Sequence, residues 1–592
     1  MKTLLTTLNS KFIHSNLAIR YLKEYLGKEY YVDILEFTIN QDLNKVIADI
    51  HRTGAHIVGF STYIWNIEET LNITKALKLV SPNLKIVLGG PEVSFNIEEL
   101  MSNNPQIDYV IFNEGEETFK ELMKSIYSNK NNLSSIDGLA YHLKGEIYIN
   151  PQRDLVCDME DIPFPYRGSL DEFKDRIIYY ESSRGCPFNC KYCLSSTING
   201  VRYLSMERIK DDLSKLIDAK VKQVKFVDRT FNANKKHALE IMKFIMEKNP
   251  KDINFHFEIS AHIIDDEILE FLRKPKEGLF QFEIGVQSTN DETTYEIMRT
   301  TDFKRIEKVS KDIKKNKNIH QHLDLIAGLP YEGYLSFKNS FNDVYGIRPE
   351  KIQLGFLKLL KGSQLRIDED KYGYKYLDIP PYEILENKYI TYDEIISLKS
   401  IEELVEKYYN EEYFKHTLEY IIRQSYSSPF DFYEDFSSYW DRNDLYDISH
   451  SRDTLYRILY DFYKENNTGN IEEFKNLLKY DYIKNNKKNR LPKWISTSKL
   501  DNRIIHWVLK NDEVLSNLPD EYRNMPTKKL LKTIDIEYFS MDIYGIIENE
   551  YSALENTKNS LYILFHYVNG KLLRCNSYDI TNKVKEFLDG LY

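Results

Sequence analysis

Apolar and polar positions alternate along the chain in two distinct rhythms. From Lys2 to about Tyr148, short apolar runs at Thr3 to Leu8, Tyr31 to Phe37, His56 to Ser61, Leu84 to Gly89 and Tyr109 to Phe112 alternate with stretches of helical spacing. Alternation of this kind predicts a parallel sheet with helices on both faces, a Rossmann-like α/β domain over residues 1–150. Ligands of such sheets bind beyond the carboxyl ends of the strands. The segments there are Asn9-Ser10, Ser61-Thr62-Tyr63, Gly89-Gly90-Pro91 and Asn113-Glu114-Gly115-Glu116. Three of them are small or glycine-rich enough to admit a large ligand to the backbone.

Residues 151–176 form a linker marked by Pro163, Pro165 and Gly168, a boundary composition. The βα rhythm then resumes over residues 177–362. Strands are expected near Ile177 to Ser182, Gln223 to Asp228, Asn254 to Ser260, Phe280 to Gln287, His320 to Ile326 and Lys351 to Phe356. Six consecutive units curl into a partial (β/α)6 barrel. Within three of these strands every second residue is polar: His256 and Glu258, then Gln281, Glu283 and Gln287, then His320, His322 and Asp324. A period of two places them on one face, predicted to be the lumen, with Phe257, Ile284 and Leu325 on the other. His256, His320 and His322 read as hydrogen-bonded lining in preference to acids, bases or metal ligands. Residues 363–592 change to helical spacing, as in Ile401 to Tyr409 and Arg452 to Tyr463, with no repeat and no catalytic motif.

Composition narrows the function. A chain of 592 residues exceeds what one hydrophobic core serves. The net charge of -11 and pI near 5.8 argue against a nucleic-acid partner. No apolar run is long enough to span a bilayer, and Met1 to Phe12 reads as a strand and not a leader, so no membrane partner is expected. Five cysteines, an odd count with three inside eight residues, do not suit a disulfide framework. A reduced, cytoplasmic protein acting on a small-molecule or peptide substrate is the expectation.

Those three cysteines carry the chemistry. Ser183-Arg184-Gly185-Cys186-Pro187-Phe188-Asn189-Cys190-Lys191-Tyr192-Cys193 ends the first barrel strand. Thiolates suit iron-sulfur clusters, and a compact loop of Cys186, Cys190 and Cys193 can wrap one corner of a 4Fe-4S cubane and leave one iron open. A structural zinc site needs four ligands. No fourth Cys or His stands at a usual spacing, although Cys157 in the linker stays open as one.

At this point the chain resembles the radical S-adenosylmethionine (SAM) superfamily. Phe226-Val227-Asp228-Arg229-Thr230-Phe231-Asn232, Phe257-Glu258-Ile259-Ser260, Glu283-Ile284-Gly285-Val286-Gln287-Ser288 and Asp324-Leu325-Ile326-Ala327-Gly328-Leu329-Pro330 are similar to the core shared by cobalamin-dependent members and anaerobic coproporphyrinogen dehydrogenase. The resemblance implies a 4Fe-4S cluster that passes an electron to SAM and releases a 5'-deoxyadenosyl radical. It places Glu258 and Arg299 at the methionine end of SAM, Gln287 and Asp324 at the ribose, and Tyr192 near the adenine. The first domain is similar to the cobalamin-binding domain of one subfamily, which implies contacts from Ser61, Thr62, Gly89, Gly90, Glu114 and Gly115. The D-x-H-x-x-G cobalt-ligand motif is absent, and Asn9-Ser10-Lys11-Phe12-Ile13-His14 stands in its place. With the helical tail, the whole resembles an uncharacterised cobalamin-type radical SAM group with an extra C-terminal domain of unknown function.

The resemblance implies methyl transfer to an unactivated carbon, with a flavodoxin or ferredoxin as electron donor. A 5'-deoxyadenosyl-radical cyclisation, rearrangement or oxidation without methyl transfer is the alternative. A non-catalytic cobalamin or redox sensor is the alternative from another class.

Overall fold

The computed structural model describes all residues except 129–131, 199, 467–468, 488–490, 497–499, 524, 552–558, 569–573 and 591–592. The chain forms two compact units, residues 1–349 with 353–395 and residues 350–352 with 396–592.

The first unit begins with strands β1 (Lys2–Asn9), β2 (Tyr31–Thr38), β3 (Ile57–Ser61), β4 (Lys85–Gly89) and β5 (Tyr109–Ile111). They run parallel in the order β2-β1-β3-β4-β5. Every residue of β1 after Lys2 is buried, as a sheet covered on both faces requires. Leu4 and Leu8 enter one apolar core and Leu5 the other, because successive side chains point to opposite faces. An antiparallel hairpin extends the β5 edge: β6 (Leu139–Leu143) and β7 (Glu146–Ile149). The strand order reverses between β1 and β3, the topological switch point at which such sheets bind ligands.

Strand β8 (Ile177–Tyr180) opens the second layer and is followed by a short antiparallel pair, β9 (Ser183–Gly185) and β10 (Val201–Tyr203). Strands β11 (Gln223–Phe226), β12 (Asn254–Ile259), β13 (Phe280–Gln287), β14 (His320–Ala327) and β15 (Lys351–Phe356) complete a six-stranded sheet in the order β15-β14-β13-β12-β11-β8. Sequential order with parallel pairing is the signature of a partial βα barrel. In β13 and β14 buried and half-buried residues alternate strictly, so the polar column expected from sequence faces the lumen. The helix-facing side is an aromatic stack in which Phe257 lies 4.2 Å from Phe231 and 4.7 Å from Phe226 between ring centroids. Two short strands, β16 (Lys375–Tyr376) and β17 (Ile384–Glu386), follow.

The second unit carries helices such as Lys415–Ser425, Pro429–Arg442, Arg452–Asn466 and Ile471–Asn485 around buried Tyr408, Phe436 and Trp440. It also holds a three-stranded antiparallel sheet that helical spacing did not announce: β18 (Ile534–Phe539), β19 (Leu561–Val568) and β20 (Arg574–Asp579).

Candidate active site

The cysteine loop is held before its sulfurs come into play. Asp228, at the end of β11, accepts hydrogen bonds from Ser182 N at 3.0 Å, Ser182 Oγ at 2.6 Å and Ser183 Oγ at 2.5 Å. Burial pushes its pKa up to about 6 in spite of these three donors. Pairing of β9 with β10 then closes residues 186–200 into the insert of a hairpin. Gly185 adopts φ +107, and a Cβ there would lie 2.1 Å from Gly200 O; only glycine fits. Cys190 is buried, Cys186 and Cys193 are half-buried, and all three are free thiols. Each sulfur has a polar neighbour: Thr230 Oγ1 at 3.7 Å from Cys186, Arg299 Nη1 at 3.8 Å from Cys190, and Ser195 N at 3.4 Å from Cys193. Donors to sulfur orient and tune the ligands of a cluster. Among the described residues no three His, Cys, Asp or Glu side chains gather tightly enough for one metal ion. Cys157 is exposed on the linker.

Above the loop's barrel mouth lies a lumen rich in carboxylates. Lys225 Nζ sits 2.9 Å from Glu283 Oε2 and 3.9 Å from Glu258 Oε1, and His256 Nε2 lies 3.0 Å from Glu283 Oε2. Burial opposes the Glu283 charge, but His256 and Lys225 overcome it and hold its pKa down to about 2. Glu258 goes the other way: burial, and then the Glu283 charge, raise it to about 7. Burial likewise raises Asp324 well above the usual carboxylate range, with Glu283 and Glu258 adding to the effect. Its Oδ1 and the Arg299 Nε are buried with no hydrogen-bond partner among the described residues. Lys225 thus serves both Glu283 and Glu258, and Arg229 and Arg299 act on Glu258 and Asp324 from further off. His320 Nδ1, His322 Nε2 and Gln281 Nε2 form a chain of 3.0 and 3.1 Å contacts beneath. These histidines line the lumen as hydrogen-bonded groups.

Gln287 ends β13 with φ 73, at a bulge in its pairing with β14. Left-handed backbone at a non-glycine residue is a strain that clusters at functional sites. Arg299 donates to Gly285 O and, at 3.0 Å, to Tyr192 Oη. The structure therefore brings Cys190, Tyr192, Gln287 and Arg299 around Gly285, where a Cβ would meet both Gln287 Nε2 and Arg299 Nη2.

The first domain presents its switch point as follows. Asn16 caps the helix Leu17–Leu26 and donates to Ser61 Oγ at 3.3 Å. Thr62 is buried and donates from both N and Oγ1 to Gly89 O, each at 2.8 Å, which sews the ends of β3 and β4 together. Gly90, at φ +119, packs so closely on Thr62 that a Cβ would lie 2.4 Å from its carbonyl oxygen. The loops after β1 and β3 carry exposed apolar side chains: Phe12, with the Arg176 guanidinium 4.7 Å from its ring, Ile13, and Trp65, stacked on Tyr63 at 4.4 Å and 5°. The Glu114 carboxylate is occupied by Arg202, Arg184 and the Val156 N–H. His14 spends Nδ1 on the Tyr179 hydroxyl at 2.6 Å. Glu92, following β4, meets Lys361 at 3.0 Å and accepts from Tyr382. Three carboxyl-edge loops of the first sheet therefore touch the barrel and its succeeding segment. Arg202, Lys361 and Tyr382 were not singled out from sequence, since each acquires meaning only through a partner remote along the chain.

Fold and site join an α/β domain to a partial βα barrel whose first strand leads into a loop of three free cysteines. Comparison with known proteins makes the class specific: residues 4–123 match the B12 binding domain, residues 180–344 the Radical SAM superfamily, and residues 370–565 a protein family of unknown function (DUF4080). Three family models thus match successive segments of the chain: a B12-binding domain, a radical SAM domain and a C-terminal DUF4080 region. It is 30% identical over 284 residues to an uncharacterised methyltransferase of Pyrococcus horikoshii, covering 46% of this chain and 61% of that one. It is 23% identical over 341 residues to the cobalamin-dependent radical SAM methyltransferase TokK of Streptomyces tokunonensis, covering 54% and 49%. The chain thus spans about half to three fifths of the length of these relatives. The solved structure of the cobalamin-dependent SAM radical enzyme OxsB, with aqua-cobalamin and SAM bound, shares the fold at a TM-score of 0.57 and 16% identity, over 81% of this chain and 79% of that one.

The residues fit the groups that this class implies. Three reduced thiols on one loop, each with a polar neighbour, are a donor set for a 4Fe-4S cluster. The unpartnered Asp324 oxygen and the carboxylate of Glu258, 3.9 Å from its lysine, suit SAM, which carries hydroxyls, a sulfonium and an ammonium. The exposed apolar rim of the switch point suits a large planar ring. Among the described residues no helix is long and apolar enough to cross a membrane.

Proposed function

We propose that this chain is a cobalamin-dependent radical SAM methyltransferase acting on an unactivated carbon of a small molecule or peptide, with electrons drawn from a flavodoxin or ferredoxin. The observation that carries the reading is the apposition of the two cofactor-binding edges: His14 on Tyr179, Glu92 on Lys361, and Glu114 on Arg184 and Arg202. When bound, the cluster would supply the electron that cleaves one SAM to methionine and a 5'-deoxyadenosyl radical, and cobalamin would supply a carrier for the methyl group of a second SAM, which leaves as S-adenosylhomocysteine.

Cys186, Cys190 and Cys193 would hold the cluster. Glu258 would receive the positive end of SAM, and Gln287 and Asp324 would meet the ribose hydroxyls. Arg299, already directed at Cys190 and Tyr192, ties the methionine carboxylate to the loop, with Tyr192 beside the adenine. Ser61, Thr62, Gly89, Gly90, Glu114 and Gly115 border the cobalamin, Glu114 through its backbone because its carboxylate is taken. The apolar rim of Phe12, Ile13 and Trp65 excludes water from the ring.

Anaerobic purification in the presence of cobalamin, followed by gel filtration, absorbance and iron analysis, tests the reading. Stoichiometric corrinoid together with about four irons per chain is the expected result. A protein that keeps its iron and carries no corrinoid overturns methyl transfer and favours 5'-deoxyadenosyl-radical chemistry alone.

A further inference from the structure

The first domain and the cysteine loop are joined by an ion-pair cluster that SAM or cobalamin binding does not by itself require. Arg184 and Arg202 stand directly opposite each other in the β9–β10 pair. Side chains so placed share a face, and like charges there repel. Three carboxylates offset the repulsion. Glu114 takes Arg202 through both oxygens, at 2.5 and 3.0 Å, and lies 3.4 Å from Arg184. Glu116 lies 3.0 Å and Glu181 2.9 Å from Arg184 Nη2. Val156 closes the cluster from the linker, its N–H donating to Glu114 at 2.8 Å and its carbonyl accepting from Arg202 at 2.5 Å. All five charged side chains are 16% exposed or less. A desolvated, bidentate arginine-carboxylate pair is directional and strong.

Its position gives it a consequence. Arg184 is two residues before Cys186, and Arg202 follows the insert that contains all three cysteines. Both roots of the cysteine loop are therefore clamped by one residue of the first domain. That residue belongs to the loop after β5, at the carboxyl edge where the first domain binds its ligand.

We infer that Glu114 is a positioning residue for the cluster: through Arg184 and Arg202 it fixes the roots of the cysteine loop against the first domain, so that occupancy of the corrinoid site and rigidity of the cluster loop are coupled. Such coupling is reciprocal. The second half of the inference rests on the cobalamin reading; the first does not.

The test uses the full-length chain, anaerobically reconstituted, as parent, Glu114→Gln, Arg202→Lys, Arg202→Met and the double variant Glu114→Gln/Arg202→Met. The rate of iron removal by a ferrous chelator and the electron paramagnetic resonance spectrum of the reduced cluster with and without SAM are recorded, alongside thermal melting. Glu114→Gln and Arg202→Met should each lose iron roughly tenfold faster, the scale typical of outer-shell partners of metal ligands. Arg202→Lys, which keeps the charge, should restore part of the difference. The double variant should be no worse than the poorer single one, because the two residues act through each other. The SAM-induced spectral change should weaken in step. Added cobalamin should slow iron loss in the parent and not in Glu114→Gln. Unchanged iron-release rates and spectra in folded Glu114→Gln and Arg202→Met overturn the positioning role, even if melting temperatures fall. If cobalamin binds the parent and leaves its iron-release rate unaltered, the coupling is overturned. If cobalamin does not bind the parent at all, coupling and the cobalamin reading fall together, while the chelation rates still decide the positioning role.

Discussion

Replacing Glu258 by Gln probes the carboxylates of the barrel lumen. In the free protein Glu258 titrates at about 7, raised by burial and by the Glu283 charge, with Lys225 only 3.9 Å away and already committed to Glu283 at 2.9 Å. Its folded pKa lies above the ordinary carboxylate value, so the folded state favours the proton. Ionising Glu258 costs stability progressively as pH rises from the unfolded value toward 7. Cationic SAM reverses the balance, because its positive end pairs with the ionised form. Binding should therefore release a proton below pH 7, and affinity should fall as pH falls. For one group of pKa about 7, the ionised fraction drops from about 0.9 at pH 8 to about 0.09 at pH 6, a roughly tenfold loss of SAM affinity. Calorimetric titration of SAM into the reconstituted protein, in buffers of different ionisation enthalpy, reads both the affinity and the protons released. Glu258→Gln should bind SAM more weakly at pH 8 and lose most of the pH dependence. A flat profile in the parent, or the same tenfold slope in Glu258→Gln, refutes the placement of Glu258 at the positive end of SAM.

Alanine at Cys186, Cys190 or Cys193 should abolish the iron-sulfur absorbance near-completely while far-ultraviolet circular dichroism is retained, because the loop is anchored by Asp228 and the β9–β10 pair independently of the metal. Gly185→Ala, forced to place a Cβ 2.1 Å from Gly200 O, should deplete iron nearly as severely as loss of a ligand, measured by iron analysis on a protein that still melts cooperatively. Phe257→Ala, which removes a fully buried ring packed on Phe226 and Phe231, should cost about 3–5 kcal/mol in urea denaturation.

The strands that carry the site were legible because each writes a physical rule into a few residues. In β13 and β14 the period of two separates Gln281, Glu283, His322 and Asp324 from Phe282, Ile284, Leu323 and Leu325, and burial follows that separation residue by residue. The cysteine spacing was legible because the chemistry demands it. What stayed hidden depends on partners distant in sequence. Strands β9 and β10 are three residues each, too short for any periodicity, and their meaning lies in Gly185 meeting Gly200 and in Arg184 and Arg202 meeting Glu114. The hairpin of β6 and β7 has only a short local signature: Lys144 and Gly145, with φ 54 and 87, form a tight turn between alternating segments. Strands β18 to β20 lie in a stretch where tyrosines serve helix and sheet alike, and propensity alone does not separate them.

The proximity of a B12-binding domain and a radical SAM barrel is best tested by what happens to SAM itself. The reduced, fully reconstituted protein should be given methyl-labelled SAM in the presence of cobalamin, and the products separated. The account predicts S-adenosylhomocysteine in an amount that matches the bound corrinoid and disappears when corrinoid is withheld. Formation of 5'-deoxyadenosine and methionine alone, with the label never leaving methionine, contradicts it.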